Sequence, residues 1–462
     1  MPGESSRAAF PPSTPRRARW SLLAALVLGL AAAVPLPSAA QEAPSTIVSF
    51  TLDDGTDTQP VAADILTKHR MRGTFYVASG SVGTTGYINH DDLRRMADAG
   101  HEIGGHTVHH PDLVSTRPNE TRRQICHDRN NLMAWGYRVT SFAYPYSNRS
   151  RTAKDAAEEC GYNSARALGD LYSSGDCAGC APTETIPARD PYEIRTPDMV
   201  GPAWTLADLQ RSVLHAEESG GGWLPFVLHR VCDNCGEMSI SPELLDQFAG
   251  WLARREARGT AVRTVGQVMG GPVRPPVDGP PADSTHELVN PSLELSDTTP
   301  HPRGWEPTAW GHNEATWSRT RDAHSGQWAY RVDVTGHAEG DAKLMPTLDL
   351  GESAPAANAG NRYAVSAWYK ASAPTQLALY YRDRTGKWKY WSSSPSFAAT
   401  DEWQRASWTS PPAPPEATGL SFGLALFSDG SVTTDDYALE VAPDPTICER
   451  LGLWESLRWI CG

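Results

Sequence analysis

The stretch Thr46-Ile-Val-Ser-Phe-Thr-Leu-Asp53-Asp54-Gly55 decides the fold class of the first half of the chain. An apolar, β-favouring run from Ile47 to Leu52 is followed at once by two carboxylates and a glycine, which predicts a buried strand that ends in a turn. Six further β-rich runs follow it: Gly73 to Ala78, His101 to Gly104, Ser141 to Tyr144, Asn163 to Leu168, Trp223 to Leu228 and Ala261 to Val265.

Helical patterns separate these runs. They are Val61 to His69, Asp91 to Ala99, Thr121 to Trp135 and Thr152 to Cys160. Two later helices have clear starts, because Thr205 with Asp208 forms a capping-box pattern and Ser241-Pro242 supplies an N-cap and an N1 proline. Alternating strands and helices predict βα units around a largely parallel sheet, so we expect a (β/α) barrel, complete or incomplete, over residues 41–270.

The second half of the chain has a different character. Residues 271–285 carry five prolines in fifteen positions without apolar periodicity, which predicts a semi-rigid extended linker. Short alternating segments follow it, such as Tyr363 to Tyr369, Leu377 to Tyr381 and Leu420 to Phe427. They predict an antiparallel β-sandwich over 286–445, followed by a tail at 446–462.

Composition limits the function classes. With 462 residues, 40% of them hydrophobic, and 16 Trp, the chain can form two or three cored domains. The formal charge of −13 makes nucleic acid an unsuitable general partner. An apolar run from Trp20 to Leu36 lies behind three arginines and ends near Ser38-Ala39-Ala40, so residues 1–40 are predicted to be a secretory signal. The mature protein would be secreted, without a stable membrane partner; an uncleaved anchor is the alternative.

The eight cysteines suit an oxidising compartment and up to four disulfides. Their positions are Cys126, Cys160, Cys177, Cys180, Cys232, Cys235, Cys448 and Cys461. The last two are predicted to close the tail as a loop. The Cys177/Cys180 and Cys232/Cys235 pairs also have the spacing of a four-thiolate zinc site, and the predicted export favours disulfides over that alternative.

Three polar clusters could carry chemistry. Asp53 and Asp54 follow the first strand, where barrel folds place their active sites, although Asp-Gly is also an ordinary turn. His106 and His110 lie four residues apart, so on one helical turn both could bind one metal, with His109 as the alternative to His110. His229 ends an apolar strand at the same predicted rim and suits a general acid, although a lone histidine there is more often structural.

Thr51-Leu-Asp-Asp-Gly55, His106-Thr-Val-His-His110 and Leu228-His229, in this order, closely resemble the motifs of the polysaccharide deacetylase family, the NodB-homology domain of carbohydrate esterase family four. The resemblance covers about half of the chain, from Thr46 to Met269. It implies a distorted, incomplete (β/α) barrel that removes acetyl groups from sugars with one divalent metal ion, usually zinc.

The resemblance also implies residue roles. Asp54, His106 and His110 match the metal ligands, Asp53 the general base and His229 the general acid, while Thr107 matches a hydroxyl that steadies the histidine loop. Pro145 and Tyr146 match the motif whose backbone N–H, that of Tyr146, would stabilise the oxyanion.

Two departures from the family pattern stand out. Ala143 occupies the position of an arginine that orients the base in many members, so we expect Arg166, Arg189 or Arg195 to replace it. The family's Asp-Trp motif is represented only by Asp190-Pro-Tyr192, which leaves the shape of the substrate groove open.

Nine tryptophans lie between Trp305 and Trp408 in the predicted sandwich. Aromatic faces stack on sugar rings, but tryptophan in a sandwich is often a core residue. Asn290 to Glu294 and Asp435 to Leu439 resemble the flanking strands of jelly-roll carbohydrate-binding modules, and their carboxylates could hold a structural calcium.

We therefore expect an exported deacetylase acting on N-acetylglucosamine polymers, chitin-like or peptidoglycan. Acetylated xylan is the second substrate, and amide cleavage in a small molecule a third possibility for the same site. The alternative class is a non-catalytic glycan-binding protein with a degenerate domain, which the missing arginine slightly favours.

Overall fold

The computed structural model describes residues 45–173, 177–282, 285–296 and 300–443, all of which belong to one compact unit. The predicted signal segment 1–40 and the predicted tail 446–462, with Cys448 and Cys461, lie outside the described residues. In the part of the chain that is described, no helix has the length and apolar character needed to cross a bilayer.

The first domain is built around an eight-stranded parallel sheet, with a short two-stranded sheet beside it. The ten strands of this domain are β1 (Thr46–Leu52), β2 (Thr74–Val77), β3 (Glu102–Gly105), β4 (Ser141–Ala143), β5 (Ser164–Asp170), β6 (Ile194–Thr196), β7 (Gly222–Leu228), β8 (Arg230–Val231), β9 (Ser239–Ile240) and β10 (Thr260–Val262). β7 pairs along the whole of β1, whereas β10 and β2 share the other edge of β1. The predicted distorted (β/α) barrel is confirmed.

Helices alternate with these strands. They are α1 (Gln59–Lys68), α2 (His90–Asp98), α3 (Pro118–Ala134), α4 (Arg151–Glu159), α5 (Leu206–Glu218), α6 (Pro242–Ala253) and α7 (Val265–Met269). The capping box at Thr205 and the N-cap at Ser241 are both present. The strand predicted from Ala261 to Val265 ends at Val262, because Thr264 and Gln267 form a second capping box that begins α7.

The second domain consists of two five-stranded antiparallel sheets, as predicted. The strands are β11 (Trp305–Trp310), β12 (Glu314–Thr320), β13 (Ala329–Thr335), β14 (Asp341–Pro346), β15 (Arg362–Ala371), β16 (Thr375–Arg382), β17 (Trp388–Ser393), β18 (Thr400–Thr409), β19 (Gly419–Leu426) and β20 (Gly430–Ala442). We call the sheet with the order β11-β14-β19-β16-β17 sheet I, and the sheet with the order β12-β13-β20-β15-β18 sheet II. Alternate residues of both sheets, such as Leu377 of sheet I and Val365 of sheet II, fill the core between them.

Two of the carboxylates suggested as calcium ligands accept hydrogen bonds from the backbone of one turn. Glu294 accepts the N–H of Gln327 at 2.8 Å, and Asp435 accepts the N–H of His324 at 2.9 Å. Both therefore fasten the turn that precedes β13 to the flanking segments.

Six cysteines form three disulfides: Cys126–Cys160, Cys177–Cys180 and Cys232–Cys235. The first joins α3 to the end of α4. The other two close within each Cys-x-x-Cys pair, so their sulfurs do not form the alternative four-thiolate zinc site.

The segment between the domains is extended and fastened to the first domain. Its described part, 271–282, has neither helix nor strand. The buried guanidinium of Arg129 donates to the carbonyl oxygens of Arg274 at 2.7 Å and Pro275 at 3.1 Å. Arg123 donates to the carbonyl oxygen of Pro281 at 2.9 Å. The proline-rich segment thus follows the surface of α3.

Candidate active site

The turn after β1 places two adjacent carboxylates at the carboxyl end of the sheet. The Asp53 N–H donates to the carbonyl oxygen of Leu228 at 3.0 Å, which continues the β1–β7 pairing by one residue. Asp54 and Gly55 then adopt left-handed backbone angles, with φ of 75° and 71°. The Asp-Gly sequence therefore does form a turn, and that turn directs the chain away while both carboxylates stay at the rim.

The segment 106–110 is a loop, so the predicted helical turn is wrong. Thr107 and His110 have φ of 68° and 57°, which an α-helix does not allow. The Thr107 hydroxyl oxygen accepts the N–H of His110 at 2.9 Å, and buried Asp128 accepts the N–H of His106 at 2.9 Å. These side-chain bonds fold the loop, and bring His106 and His110 together without helical geometry.

Asp54, His106 and His110 converge on one point. Asp54 Oδ1 lies 3.3 Å from His106 Nε2 and 3.2 Å from His110 Nε2. Their possible ligand atoms all lie within 4.8 Å of one another. Among the described residues, no other group of three or more His, Cys, Asp or Glu side chains is arranged so that it could share a metal ion. Burial opposes ionisation of Asp54, but its contacts with His106 and His110 hold its pKa well below the usual range.

The three side chains fit a metal ion by two further observations. Asp54 Oδ1 is buried and has no hydrogen-bond partner. His106 Nδ1 donates to the carbonyl oxygen of Ala143 at 2.7 Å, which leaves the Nε2 lone pair directed at Asp54. A buried carboxylate oxygen and an imidazole lone pair facing each other are the donor set of a divalent transition metal.

Asp53 is paired with Arg166, which lies on β5 and is buried. The guanidinium also contacts the ring of Tyr76, at 5.2 Å from its centroid, and donates to the carbonyl oxygen of Ala167 at 2.9 Å. Burial would raise the pKa of Asp53, but the charges of Arg166, His106 and His229 keep it below the usual value. Of the three predicted arginines, Arg166 is thus the one that meets Asp53.

His229 follows β7, which pairs with β1, the strand that precedes the two carboxylates. Gln59 Nε2 donates both to the carbonyl oxygen of Asp53, at 2.5 Å, and to that of His229, at 3.2 Å, so one side chain fixes both turns. Burial lowers the pKa of His229 although Asp53 and Asp54 oppose that effect. Its Nδ1 is buried without a hydrogen-bond partner.

Pro145 and Tyr146 lie in a single 3₁₀ turn after β4. Tyr146 has φ of 54°, and its ring centroid lies 4.6 Å from that of His110. The ring is 65% exposed and therefore forms an accessible wall beside the triad.

Three other predicted candidates, His109, Arg189 and Arg195, make their contacts outside this cluster. His109 bonds to Gln124 and to the carbonyl oxygen of Gly386. Arg195 pairs with Glu184 at 2.9 Å. Arg189 is exposed, and His109 is not a partner in the triad.

Gln59, Asp128 and Gly386 support the site and were not predicted. Gln59 and Asp128 lie in α1 and α3, where a polar residue ordinarily indicates the solvent side, yet both are fully buried. Gly386 belongs to the turn 383–387 between β16 and β17, nearly three hundred residues after the histidine loop. These residues reach the site only in the folded protein, because they come from distant parts of the chain.

A family profile described as polysaccharide deacetylase matches residues 40–165, which include Asp53, Asp54, His106 and His110. Residues 40–165 are therefore similar to a polysaccharide deacetylase domain. This finding agrees with the rim position of the triad and with the fold of the first sheet.

Curated relatives named as deacetylases match parts of the chain. The peptidoglycan-N-acetylmuramic acid deacetylase PdaA of Bacillus subtilis is 35% identical over 98 residues, covering 20% of this chain and 33% of the relative. The chitooligosaccharide deacetylase of Bradyrhizobium sp. is 38% identical over 80 residues, covering 17% and 35%. The matches thus span about a third of the length of these relatives.

Solved structures resemble the same part of the chain. A family 4 acetyl xylan esterase from Clostridium thermocellum, in complex with a cobalt ion, aligns with a TM-score of 0.35 and 22% identity. The alignment covers 50% of this chain and 96% of that one.

Proposed function

We propose that this protein is a metal-dependent deacetylase that hydrolyses acetyl groups of N-acetylglucosamine-containing polysaccharides, either chitin-like or peptidoglycan. One observation carries the proposal: the ligand atoms of Asp54, His106 and His110 converge beside the Asp53–Arg166 pair and His229. The deacetylase domain, and relatives named as deacetylases of peptidoglycan and chitooligosaccharide, support this substrate class.

Asp54, His106 and His110 would hold one divalent ion, for which zinc suits the mixed nitrogen and oxygen donors. Such an ion lowers the pKa of a water molecule and polarises a carbonyl group. Asp53 would take the proton of the attacking water, and the Arg166 guanidinium keeps that carboxylate ionised and oriented for the task.

His229 would give a proton to the leaving amine. Burial lowers the pKa of its imidazole, and the charges of the two nearby carboxylates oppose that effect and favour the protonated form that a general acid requires. The backbone N–H of Tyr146 would stabilise the negative charge that develops on the acetyl oxygen.

Arg166 removes the argument for a degenerate, non-catalytic domain. That alternative rested on Ala143, which stands where an arginine would orient the base. In the structure a different strand supplies the guanidinium to Asp53. The carbonyl oxygen of Ala143 meanwhile orients His106.

Under this proposal the enzyme acts outside the cytoplasm, as the predicted signal segment indicates. N-terminal sequencing of protein recovered from the medium of an exporting host would test this part, with Gln41 as the expected first residue. A first residue within segment 1–40 would contradict the predicted cleavage.

The experiment for the activity is acetate release from acetylated chitooligosaccharides, peptidoglycan and acetylated xylan. We expect release from at least one N-acetylglucosamine substrate, its loss on chelation and its return with zinc. Asp54→Asn and His229→Ala should each lower kcat by at least about a hundredfold, since they remove a metal ligand and the general acid.

Asp57→Asn is the matched control, because Asp57 is an exposed carboxylate in the same turn region. It should leave kcat and metal content unchanged. Release from acetylated xylan alone would change the substrate to an ester, and no release from any substrate by metal-loaded, folded protein would overturn the proposal.

A further inference from the structure

A cleft lies between the loops that follow β2 and β3 and sheet I of the second domain. Its volume is about 650 Å³. Ser81, Pro111 and Ser115 line one wall, and Glu306 and Trp388 belong to the other. Pro111 is the residue after His110 in the chain, and His109 also lines the cleft, so the loop that carries the histidines borders it.

The second wall belongs to the outer face of sheet I, which we define as the face turned away from the sandwich core. On β11, Glu306 and Thr308 alternate with Trp305, whose ring is in the core. On β17, Trp388 and Tyr390 pair with Arg382 and Tyr380 of β16, whose neighbours Leu379 and Tyr381 are core residues. The cleft thus opens onto a face that carries aromatic and polar side chains together.

Two polar atoms of this face are buried without a hydrogen-bond partner: Trp388 Nε1 and Thr308 Oγ1. Buried polar groups in folded proteins are nearly always paired, so each unpaired group requires an explanation. Of the two residues, Trp388 lines the cleft, and a ligand hydroxyl group there would accept its indole N–H.

The same face provides stacking surfaces. Tyr390 is 58% exposed, and Trp388 is half-buried with the Arg382 guanidinium 5.8 Å from its ring centroid. A pyranose ring combines an apolar C–H face with a rim of hydroxyl groups, which matches aromatic planes beside unpaired donors and acceptors.

We propose that this cleft is a remote substrate subsite, in which Trp388 binds sugar units of the same polysaccharide chain whose acetyl group lies at Asp54, His106 and His110. The inference rests on the proposed deacetylase function and extends it, because the second domain then determines how long a substrate the enzyme prefers. Remote binding of this kind lowers KM for long chains and does not alter the reaction of a short substrate.

The experiment compares kcat/KM for an acetylated disaccharide, an acetylated hexasaccharide and a small acetyl ester. Trp388→Ala should raise KM for the hexasaccharide by about tenfold, the loss expected for one aromatic stacking contact, and leave the other two substrates unchanged. Trp388→Phe should give a smaller increase, because it retains a stacking ring and removes the N–H.

Trp403→Ala is the matched control. Trp403 is also half-buried but lies on β18 of sheet II, on the other side of the sandwich. It should affect none of the three substrates, and circular dichroism should show that all variants are folded.

An equal loss on short and long substrates, or no loss on the hexasaccharide, would overturn the subsite while the deacetylase proposal stands. If the unmodified protein releases no acetate from any substrate, both proposals fail.

Discussion

At the scale of single residues, the Asp53–Arg166 pair determines whether the proposed base is ionised. Burial alone would raise the pKa of Asp53, and the guanidinium, together with the charges of His106 and His229, reverses that effect. Removing the charge of Arg166 would leave the Asp53 carboxylate buried and unpaired. The loss of one partner from a buried ion pair lowers the free energy of unfolding by about 3–5 kcal/mol.

We therefore expect Arg166→Met to lower kcat/KM near neutral pH by about a hundredfold. Because a base must be ionised to accept a proton, a raised pKa of Asp53 moves the acid limb of the pH profile to higher pH. Metal content should remain stoichiometric, since Arg166 contacts none of the three ligands. The measurement is kcat/KM against pH with metal analysis of the same protein.

Arg195→Met is the control, because Arg195 forms its own ion pair with buried Glu184. It should cost stability without moving the acid limb. An unmoved limb in Arg166→Met would contradict the role of the guanidinium.

Some residues of the candidate site could be predicted from the sequence, and others could not. Adjacent motif residues such as Asp53 and Asp54 could be placed at the rim because a strand with a turn has one local geometry. Choosing Arg166 over Arg195 required the relative positions of β1, β5 and β6, which depend on sheet closure and not on local pattern.

At the scale of elements, the turn 383–387 of the second domain supports the histidine loop. His109 Nε2 donates to the carbonyl oxygen of Gly386 at 2.7 Å, and Gln124 donates to His109 Nδ1 at 3.0 Å. Lys387 donates to the carbonyl oxygen of Val82 at 2.8 Å, and Asn131 to that of Thr385 at 2.7 Å. The loop that carries two of the proposed metal ligands is thus packed against the other domain.

Gly386→Ala tests this support. Gly386 has φ of +85°, and an added Cβ would lie 2.7 Å from Leu350 Cδ2 and 3.1 Å from Val108 Cγ1, inside the histidine loop. We expect about 1–3 kcal/mol of destabilisation from the crowding and a metal affinity lowered by about tenfold, measured by calorimetric titration of zinc.

Gly360→Ala has the same backbone strain, with φ of +81°, and nothing within 4 Å of the added Cβ. It should lose stability through strain alone and bind zinc normally. Equal zinc affinity in both variants would show that the turn does not position the loop.

The predicted helical turn at His106 to His110 was wrong because side-chain hydrogen bonds hold this segment as a loop. The spacing of four is compatible with a helix and with other geometries. Thr107 and Asp128 hold the loop through side-chain hydrogen bonds, and Asp128 comes from α3, twenty-two residues later. Strand and helix periodicities predicted the main elements, whereas loop geometry depended on such distant partners.

At the scale of the whole molecule, the sequence predicted two domains joined by a semi-rigid extended linker. The described residues of both domains form one compact unit. Buried Arg123 of α3 joins the two domains and the segment between them. It contacts Glu352 of the second domain at 2.7 Å, Glu120 of its own helix at 2.9 Å and the carbonyl oxygen of Pro281 at 2.9 Å. The backbone N–H of Leu350 in turn donates to Glu120 at 2.8 Å.

Because the contacts with the second domain include buried charges, unfolding either domain would expose uncompensated groups in the other. We therefore expect one calorimetric transition for the whole protein.

Arg123→Ala should cost about 3–5 kcal/mol, since it leaves Glu352 and Glu120 without their shared cation, and should separate the transition into two. Arg331→Ala removes a half-exposed ion pair with Asp333 within the sandwich, so it should cost less than about 1 kcal/mol and keep one transition. Two transitions in the unmodified protein would mean that the domains fold independently, and the support of the histidine loop by the turn 383–387 would then have no thermodynamic basis.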